Sequence, residues 1–183
     1  MSRYRRNFVP GGAYFFTVVT NHRRAFLTSP TARHSLRTAV RHVRSHHPFT
    51  IDAIVLLPDH LHTVWTLPPQ DAAYPLRWKQ IKERFTSAYL AKGGEEASVS
   101  ASRRAKGERG VWQRRYYEHT VRDDADLKHC VDYVHINPLK HGLVTRVFDW
   151  PWSSFHRYVT LGEYTPDWGS DPTFYGDEWL KYE

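Results

Sequence analysis

The sequence predicts one α+β domain, with an antiparallel ferredoxin-like or RRM-like sheet and helices packed mainly on one face. Runs of β-branched and aromatic residues alternate with amphipathic segments in the order strand, helix, strand, strand, helix, strand, helix. Of the 183 residues, 40% are hydrophobic and 15% aromatic, which suffices for one packed core. No stretch approaches the ~20 apolar residues that span a bilayer, and the one cysteine cannot form an internal disulfide. We therefore expect a cytoplasmic protein.

The first half of the chain predicts a strand, a helix and a hairpin. Residues 13–20 are β-branched and aromatic, and residues 29–48 begin with Ser-Pro, carry apolar residues at helical spacing and end at a proline. Residues 49–57 and 60–67 are two further strands. Pro58-Asp59 between them predicts a tight turn, so this pair forms a hairpin.

The second half adds a helix over residues 74–90 and a short strand within 111–121. Residues 91–110 contain few hydrophobic residues and many basic ones, which predicts a mobile loop. The domain then extends to residue 161. Residues 162–183 hold six acidic residues and several aromatics, and we expect this tail to pack on the domain or over its basic groove.

A third helix begins after Asp123 or Asp124 and is expected to end before Pro138, because proline interrupts helical hydrogen bonding. Its inward stripe comprises Leu127, Val131 and Val134. Tyr133 lies off that stripe, so packing alone does not require its burial.

Charge is distributed in blocks along the chain, whose net charge is +7. Residues 1–50 hold nine arginines and no acidic residue, and residues 77–115 hold eleven Lys or Arg against four Glu. Residues 51–76 and 116–183 are acidic overall. Two basic blocks on one domain indicate a polyanionic partner, since guanidinium groups suit phosphates and guanine edges. A solvated basic face without a partner is the alternative.

His60 and His62 stand two apart in a predicted strand, so both side chains point to the same face of the sheet. Two such imidazoles can hold a divalent metal ion if a third ligand is supplied. Alternatively, they are half-buried histidines that bond to backbone carbonyls.

Tyr133 and Asn137 stand four apart on the third helix and share one of its faces. A tyrosine hydroxyl beside a metal-bound phosphate is a plausible nucleophile, and the Asn137 amide oxygen can serve as a further ligand. A tyrosine at the edge of the core is the alternative reading. Tyr116 and Tyr117 are rival nucleophiles, but their strand position and basic flank suit stacking on DNA better.

The chain resembles the HUH single-tyrosine transposases, and most closely the REP-associated tyrosine transposases. The likeness rests on motifs spread over most of the chain. They are Tyr4-Arg5-Arg6, Gly11-Gly12-Ala13-Tyr14-Phe15-Phe16-Thr17, Pro58-Asp59-His60-Leu61-His62, Trp112-Gln113-Arg114-Arg115-Tyr116-Tyr117-Glu118-His119, Tyr133-Val134-His135-Ile136-Asn137-Pro138-Leu139-Lys140-His141-Gly142 and Trp150-Pro151-Trp152-Ser153-Ser154-Phe155-His156.

This resemblance implies that His60, His62 and Asn137 bind Mg²⁺ or Mn²⁺ and that Tyr133 attacks single-stranded DNA. Attack would leave a 5′-phosphotyrosine and a free 3′-hydroxyl at REP-type palindromic hairpins, and the reverse step would rejoin the strand. Insertion-sequence relatives carry Gln where Asn137 stands. The resemblance also implies a monomer associated with the nucleoid.

We expect the basic blocks to supply DNA contacts from Arg3, Arg5, Arg6, Arg77, Lys79, Lys82, Arg84, Arg114 and Arg115. Two other functions fit part of the pattern. One is a non-catalytic module that binds hairpin DNA or RNA, and the other is a metal-dependent hydrolase that acts through a bound water.

Overall fold

The computed structural model describes residues 6–169. The expected DNA contacts Arg3 and Arg5, and the tail beyond residue 169, lie outside the described residues. Within the described part, no helix has the length and apolar character needed to cross a membrane.

The core of the fold is a four-stranded antiparallel sheet with the strand order β2-β3-β1-β4. Strand β1 comprises Ala13–Val19, β2 Thr50–Leu56, β3 His60–Thr66 and β4 Tyr117–Thr120. The predicted hairpin is confirmed as β2 and β3, which pair antiparallel across Pro58-Asp59. Strand β4 is an edge strand and is shorter than the expected span of 111–121.

Within residues 6–169, five α-helices flank the sheet, and the α+β class is confirmed. They are α1 (Pro30–His46), α2 (Tyr74–Ala91), α3 (Ala101–Ala105), α4 (Asp124–Lys140) and α5 (Phe155–Thr160).

The helices cover both faces of the sheet, which corrects the expectation that they pack mainly on one. Tyr14, Phe16 and Val18 of β1 pack in the same apolar cluster as α1 and α2. Phe15, between them, packs with α4 on the opposite face. The cause is visible in β1 itself, which is apolar at consecutive positions and buried along nearly its whole length.

Helix α4 begins at the Asp123 cap, whose carboxylate accepts a hydrogen bond from the Asp126 backbone at 2.8 Å. The expected end before Pro138 is wrong, because the helix continues to Lys140. A proline in the last turn removes only one backbone hydrogen bond, and the bond from the His141 amide to the Asn137 carbonyl maintains that turn.

The basic segment 91–110 was expected to be a mobile loop, but part of it has regular secondary structure. It contains α3, and Arg109 forms an ion pair of 2.6 Å with Glu96 inside the segment. Arg24 reaches Glu95 at 3.0 Å and connects the segment to the body.

Arg77 is buried, with 1% of its side chain exposed, and is removed from the expected DNA contacts. Its guanidinium donates two hydrogen bonds to the Asp71 carboxylate and others to the carbonyls of His47 and Pro48. The planar guanidinium thus links α2 to the C-terminal end of α1 and to the loop that precedes α2.

We predict that Arg77→Ala lowers the free energy of unfolding by about 2–4 kcal/mol, because buried carbonyls and a carboxylate lose their donors. Urea denaturation measures the change. Lys79→Ala, an exposed change on the same helix, should stay within about 0.5 kcal/mol of the parent. An Arg77→Ala protein of unchanged stability that binds DNA more weakly would contradict the structural role.

Candidate active site

Two neighbouring histidines lie on the sheet face that α4 covers. His60 and His62 sit on β3, opposite Val19 and Thr17 of β1, and their ring centroids are 4.8 Å apart. Both are buried, with 4% and 1% exposed. The shared face predicted from the sequence is therefore present.

Each histidine is held through its Nδ1 atom. The His60 Nδ1 lies 2.6 Å from the Asp59 carboxylate, and the His62 Nδ1 lies 2.9 Å from the Thr17 hydroxyl. The Asp59 carboxylate accepts a hydrogen bond from a protonated Nδ1, which leaves the Nε2 lone pair of His60 available for a ligand. Neither Asp59 nor Thr17 was among the predicted site residues. Thr17 is the one threonine of the otherwise apolar and aromatic β1, and this isolated polar position could have indicated a contact with a polar group.

Tyr133 lies directly against this histidine pair. Its ring is 5.2 Å from the His62 ring and 5.6 Å from Phe15, and it contacts both edge-on. The side chain is fully buried, which corrects the expectation that packing does not require its burial. Because α4 packs on strands β2 and β3, its Tyr133 face is part of the core.

Asn137 lies one helical turn beyond Tyr133 and is also fully buried. Its side chain approaches His62 closely enough to raise the pKa of the histidine through a weak hydrogen-bonding contact, but among residues 6–169 neither its amide oxygen nor its nitrogen has a partner at full hydrogen-bond geometry. The Nε2 of His62 is buried without such a partner as well. Orphaned buried polar atoms are costly unless a ligand satisfies them.

The end of α4 brings the Lys140 ammonium and the His141 imidazole to the solvent side of the site. The Lys140 Nζ lies 5.1 Å from the centroid of the Tyr133 ring, and the His141 ring lies 5.1 Å from that of His60. Burial, together with His60, His141 and Lys140, holds the pKa of His62 well below its usual range. His62 is therefore neutral at physiological pH, which is the form that coordinates a metal.

Asp59 remains ionised beside His60. Burial raises the pKa of this carboxyl, but the hydrogen bonds and charges of His60 and Arg23 outweigh burial and lower the pKa to about 2. The Arg23 contact is 3.1 Å long.

The rival tyrosines lie elsewhere on the sheet. Tyr116 packs against Trp78 and Phe16 on the α1–α2 face, away from the histidine pair. Tyr117 is on the α4 face, and its ring lies 6.3 Å from that of Phe15. Among the described tyrosines, Tyr133 is thus the one seen in ring contact with His62.

A basic groove of about 710 Å³ lies between α2, the 91–110 segment and the approach to β4. Its basic lining residues are Lys79, Lys82, Arg103, Lys106, Arg109 and Arg114. Lys82 donates to the Gln113 carbonyl at 3.0 Å and lies over the Trp112 and Tyr116 rings. Burial, with a contribution from Arg6, lowers the Lys82 pKa to about 8.

The remaining expected DNA contacts, Arg6, Arg84 and Arg115, lie at different positions relative to this groove. Arg6 lies over the Tyr116 ring and 3.5 Å from Glu118, on the same side as Lys82. Arg115 is exposed immediately before β4. Arg84 is exposed on α2 but lines a separate cavity with His42 and His46, so the structure does not bring it into the groove.

Comparison with known proteins gives consistent results. Residues 9–137 match the family model described as transposase IS200 like. The chain is 43% identical over 173 residues to the REP-associated tyrosine transposase of Escherichia coli (strain K12), covering 94% of each chain. A Haemophilus influenzae protein assigned provisionally to the same group is 44% identical over 94% of this chain and 96% of its own. A solved structure of a REP-associated tyrosine transposase bound to a REP hairpin superposes with a TM-score of 0.76 at 42% identity, covering 93% of both chains.

The lowered pKa of Asp59 predicts a specific acid dependence of stability. A folded pKa of about 2, below the usual 3.8, stabilises the protein above about pH 4, and this stabilisation is lost as the pH falls towards 2. The wild type should therefore exceed Asp59→Asn by at most about 2 kcal/mol at pH 5, with a smaller difference at pH 3. Urea denaturation of both proteins at pH 5 and at pH 3 measures this difference in unfolding free energy.

Asp52→Asn is the matched control, because burial raises the pKa of Asp52. A carboxyl group whose pKa is raised on folding destabilises the protein once it is ionised. Its effect on the pH dependence of stability is therefore opposite to that of Asp59. This variant should gain stability relative to the wild type as the pH rises. Parallel pH profiles for the wild type and Asp59→Asn would disprove the assignment.

Proposed function

Because the chain belongs to the IS200-like transposase family, and within it to the REP-associated tyrosine transposases, we propose that it cleaves and rejoins single-stranded DNA at REP-type hairpins through Tyr133. The observation that carries this proposal is the contact between Tyr133 and the His60–His62 pair on one buried sheet face.

The residues present fit a divalent metal ion. The available Nε2 of His62 and the unsatisfied Asn137 amide supply one nitrogen and one oxygen ligand, and His60, held by Asp59, supplies another imidazole. Two imidazoles and an amide leave positions open for phosphate oxygens and water, which suits Mg²⁺ or Mn²⁺. When bound, such an ion would polarise the phosphodiester and offset its developing charge.

Tyr133 performs the proposed bond exchange. Its phenolic oxygen loses its proton, attacks phosphorus and forms a new O–P bond, while the bond from phosphorus to the 3′ oxygen breaks. The 3′ oxygen takes up a proton, leaving a 5′-phosphotyrosine and a 3′-hydroxyl, and rejoining reverses these changes. The Lys140 ammonium near the ring favours the phenolate during this exchange.

Burial of Tyr133 imposes a condition on this chemistry. The phenol is fully buried, whereas Lys140 is partly exposed and His141 exposed at the adjoining turn of α4. We propose that the DNA phosphate displaces these two side chains to reach Tyr133, and that the Lys140 ammonium and the His141 ring then contact its oxygens. The nucleophile stays shielded from water until DNA is in place.

The basic groove is our proposed binding surface for the hairpin. Lysine and arginine side chains there suit phosphates, and Arg114 and Arg115 continue the charge to the edge strand β4. The groove lies on the α1–α2 side of the sheet, and Tyr133 lies on the opposite side. We therefore expect a DNA strand that contacts both to pass around the β4 edge.

The candidate site is complete within one chain, since Tyr133 packs against the histidines of its own sheet. This supports the proposal that the protein acts as a monomer. Action on chromosomal palindromes would place it at the nucleoid in the cytoplasm.

We predict that the wild-type protein forms a covalent adduct with labelled single-stranded hairpin DNA in Mg²⁺ or Mn²⁺, and that Tyr133→Phe forms none because it lacks the attacking oxygen. His62→Ala should reduce adduct formation by at least about 100-fold, since the variant lacks a metal ligand. Denaturing electrophoresis of the labelled mixture measures both.

Tyr117→Phe is the control, because it removes a hydroxyl from the same sheet face without touching His62, and it should retain the adduct. Cleavage without an adduct in both the wild type and Tyr133→Phe would favour the hydrolase. Binding without cleavage would favour a non-catalytic module.

We further predict that Lys79→Ala/Arg114→Ala weakens hairpin binding and flattens its salt dependence. Each side chain that no longer contacts a phosphate should reduce the slope of log K against log salt by about 0.7–0.9, because fewer counterions are released on binding. The double variant should therefore show about twice this decrease. Fluorescence anisotropy at several salt concentrations measures the slope. Arg37→Ala/Arg41→Ala removes equal charge from exposed α1 positions outside the groove, and an equal decrease in slope there would refute groove binding.

A further inference from the structure

A second set of metal-ligating side chains lies at the opposite end of α4 from Asn137. His119 of β4 and Asp126 and Cys130 of α4 place one donor atom each within 4.8 Å of one another. Asp126 and Cys130 stand four apart and share a helix face, while His119 approaches from the sheet. The cluster includes neither Tyr133 nor the His60–His62 pair.

From this cluster we propose a zinc site that joins the edge strand β4 to the first half of α4. The inference is independent of the proposed DNA cleavage. A thiolate, an imidazole and a carboxylate are zinc ligands, and three of them leave a fourth tetrahedral position for water. Such donors lie about 3–4 Å apart around zinc, given metal–ligand distances of ~2.0–2.3 Å, so small side-chain movements suffice.

The polar contacts of Asp126 are compatible with an ion. Its Oδ2 accepts hydrogen bonds from the His119 Nε2 at 2.8 Å, the Arg122 amide at 3.0 Å and the Arg122 Nε at 3.1 Å. The Arg122 side chain is 69% exposed, so its guanidinium can move into solvent when a cation arrives. The amide contact can remain, and it orients the carboxylate.

Charge balance also favours zinc at this position. On binding, the Cys130 thiol releases its proton to solvent, and the His119 proton that Nε2 donates to Asp126 moves to Nδ1, so that the Nε2 lone pair coordinates. One thiolate and one carboxylate then neutralise the dication, which matters because Asp126 and Cys130 are buried. The His60–His62–Asn137 set lacks both anionic ligands and suits a harder ion.

Cobalt(II) substitution tests this site, since Cys130 is the only cysteine of the chain. A thiolate-to-cobalt charge-transfer band can therefore arise from Cys130 alone, even if cobalt also enters the histidine pair. We expect metal-free full-length protein to show this band with one equivalent of Co²⁺, and one equivalent of Zn²⁺ to abolish it. Zn²⁺ should also raise the Tm of the wild type more than that of Cys130→Ala.

His119→Gln should lose the charge-transfer band, while His129→Gln, which changes the histidine next to Cys130 in sequence, should keep it. Absence of the band in the folded wild type would overturn the proposal without bearing on DNA cleavage. A band that persists undiminished in His119→Gln would also overturn it, since Cys130 would then bind cobalt without its proposed partners.

Discussion

The packing of α4 on one face of the sheet determines where every candidate catalytic group lies. Phe15 is the centre of that contact, with its ring 5.6 Å from both His62 and Tyr133. A rigid aromatic contact of this kind fixes the proposed nucleophile, Tyr133, relative to strand β3 more tightly than a surface loop could. The same packing explains why Tyr133 and Asn137 are buried although they carry polar groups. Their burial costs free energy that a bound ion and substrate would offset.

The two faces of the sheet have different roles in this account. The α1–α2 face carries most of the aromatic core and borders the basic groove, whereas the α4 face carries the polar site. Strand β1 is buried between them and supplies Phe16 to one side and Thr17 to the other. The proposed DNA binding and the proposed cleavage should therefore be separable by substitution, even though one four-stranded sheet supports both sites.

Most of the element order could be predicted from the sequence, because β-branched runs, prolines and capping residues mark the boundaries locally. The pairing of His60 with His62 on one face followed from strand geometry alone. The burial of Tyr133 could not be predicted, because it depends on α4 packing on a second buried face of the sheet, opposite α1 and α2. Arg77 shows the same limit: its charge suggested a DNA contact, but the carbonyls and carboxylate that bury it come from segments distant in sequence. The ligand role of Asn137, the metal and the DNA contacts stay predictions.

We propose that His60, His62 and Asn137 hold one divalent ion beside Tyr133, and the rest of the proposed chemistry depends on this ion. A crystal structure of the full-length protein grown with Mn²⁺, with anomalous diffraction data, would locate it. We expect an anomalous peak within coordinating distance of both imidazole Nε2 atoms and of the Asn137 amide oxygen, on the Tyr133 side of the sheet. An ordered site without a peak there, or a peak that Asn137 does not contact, would refute this metal site.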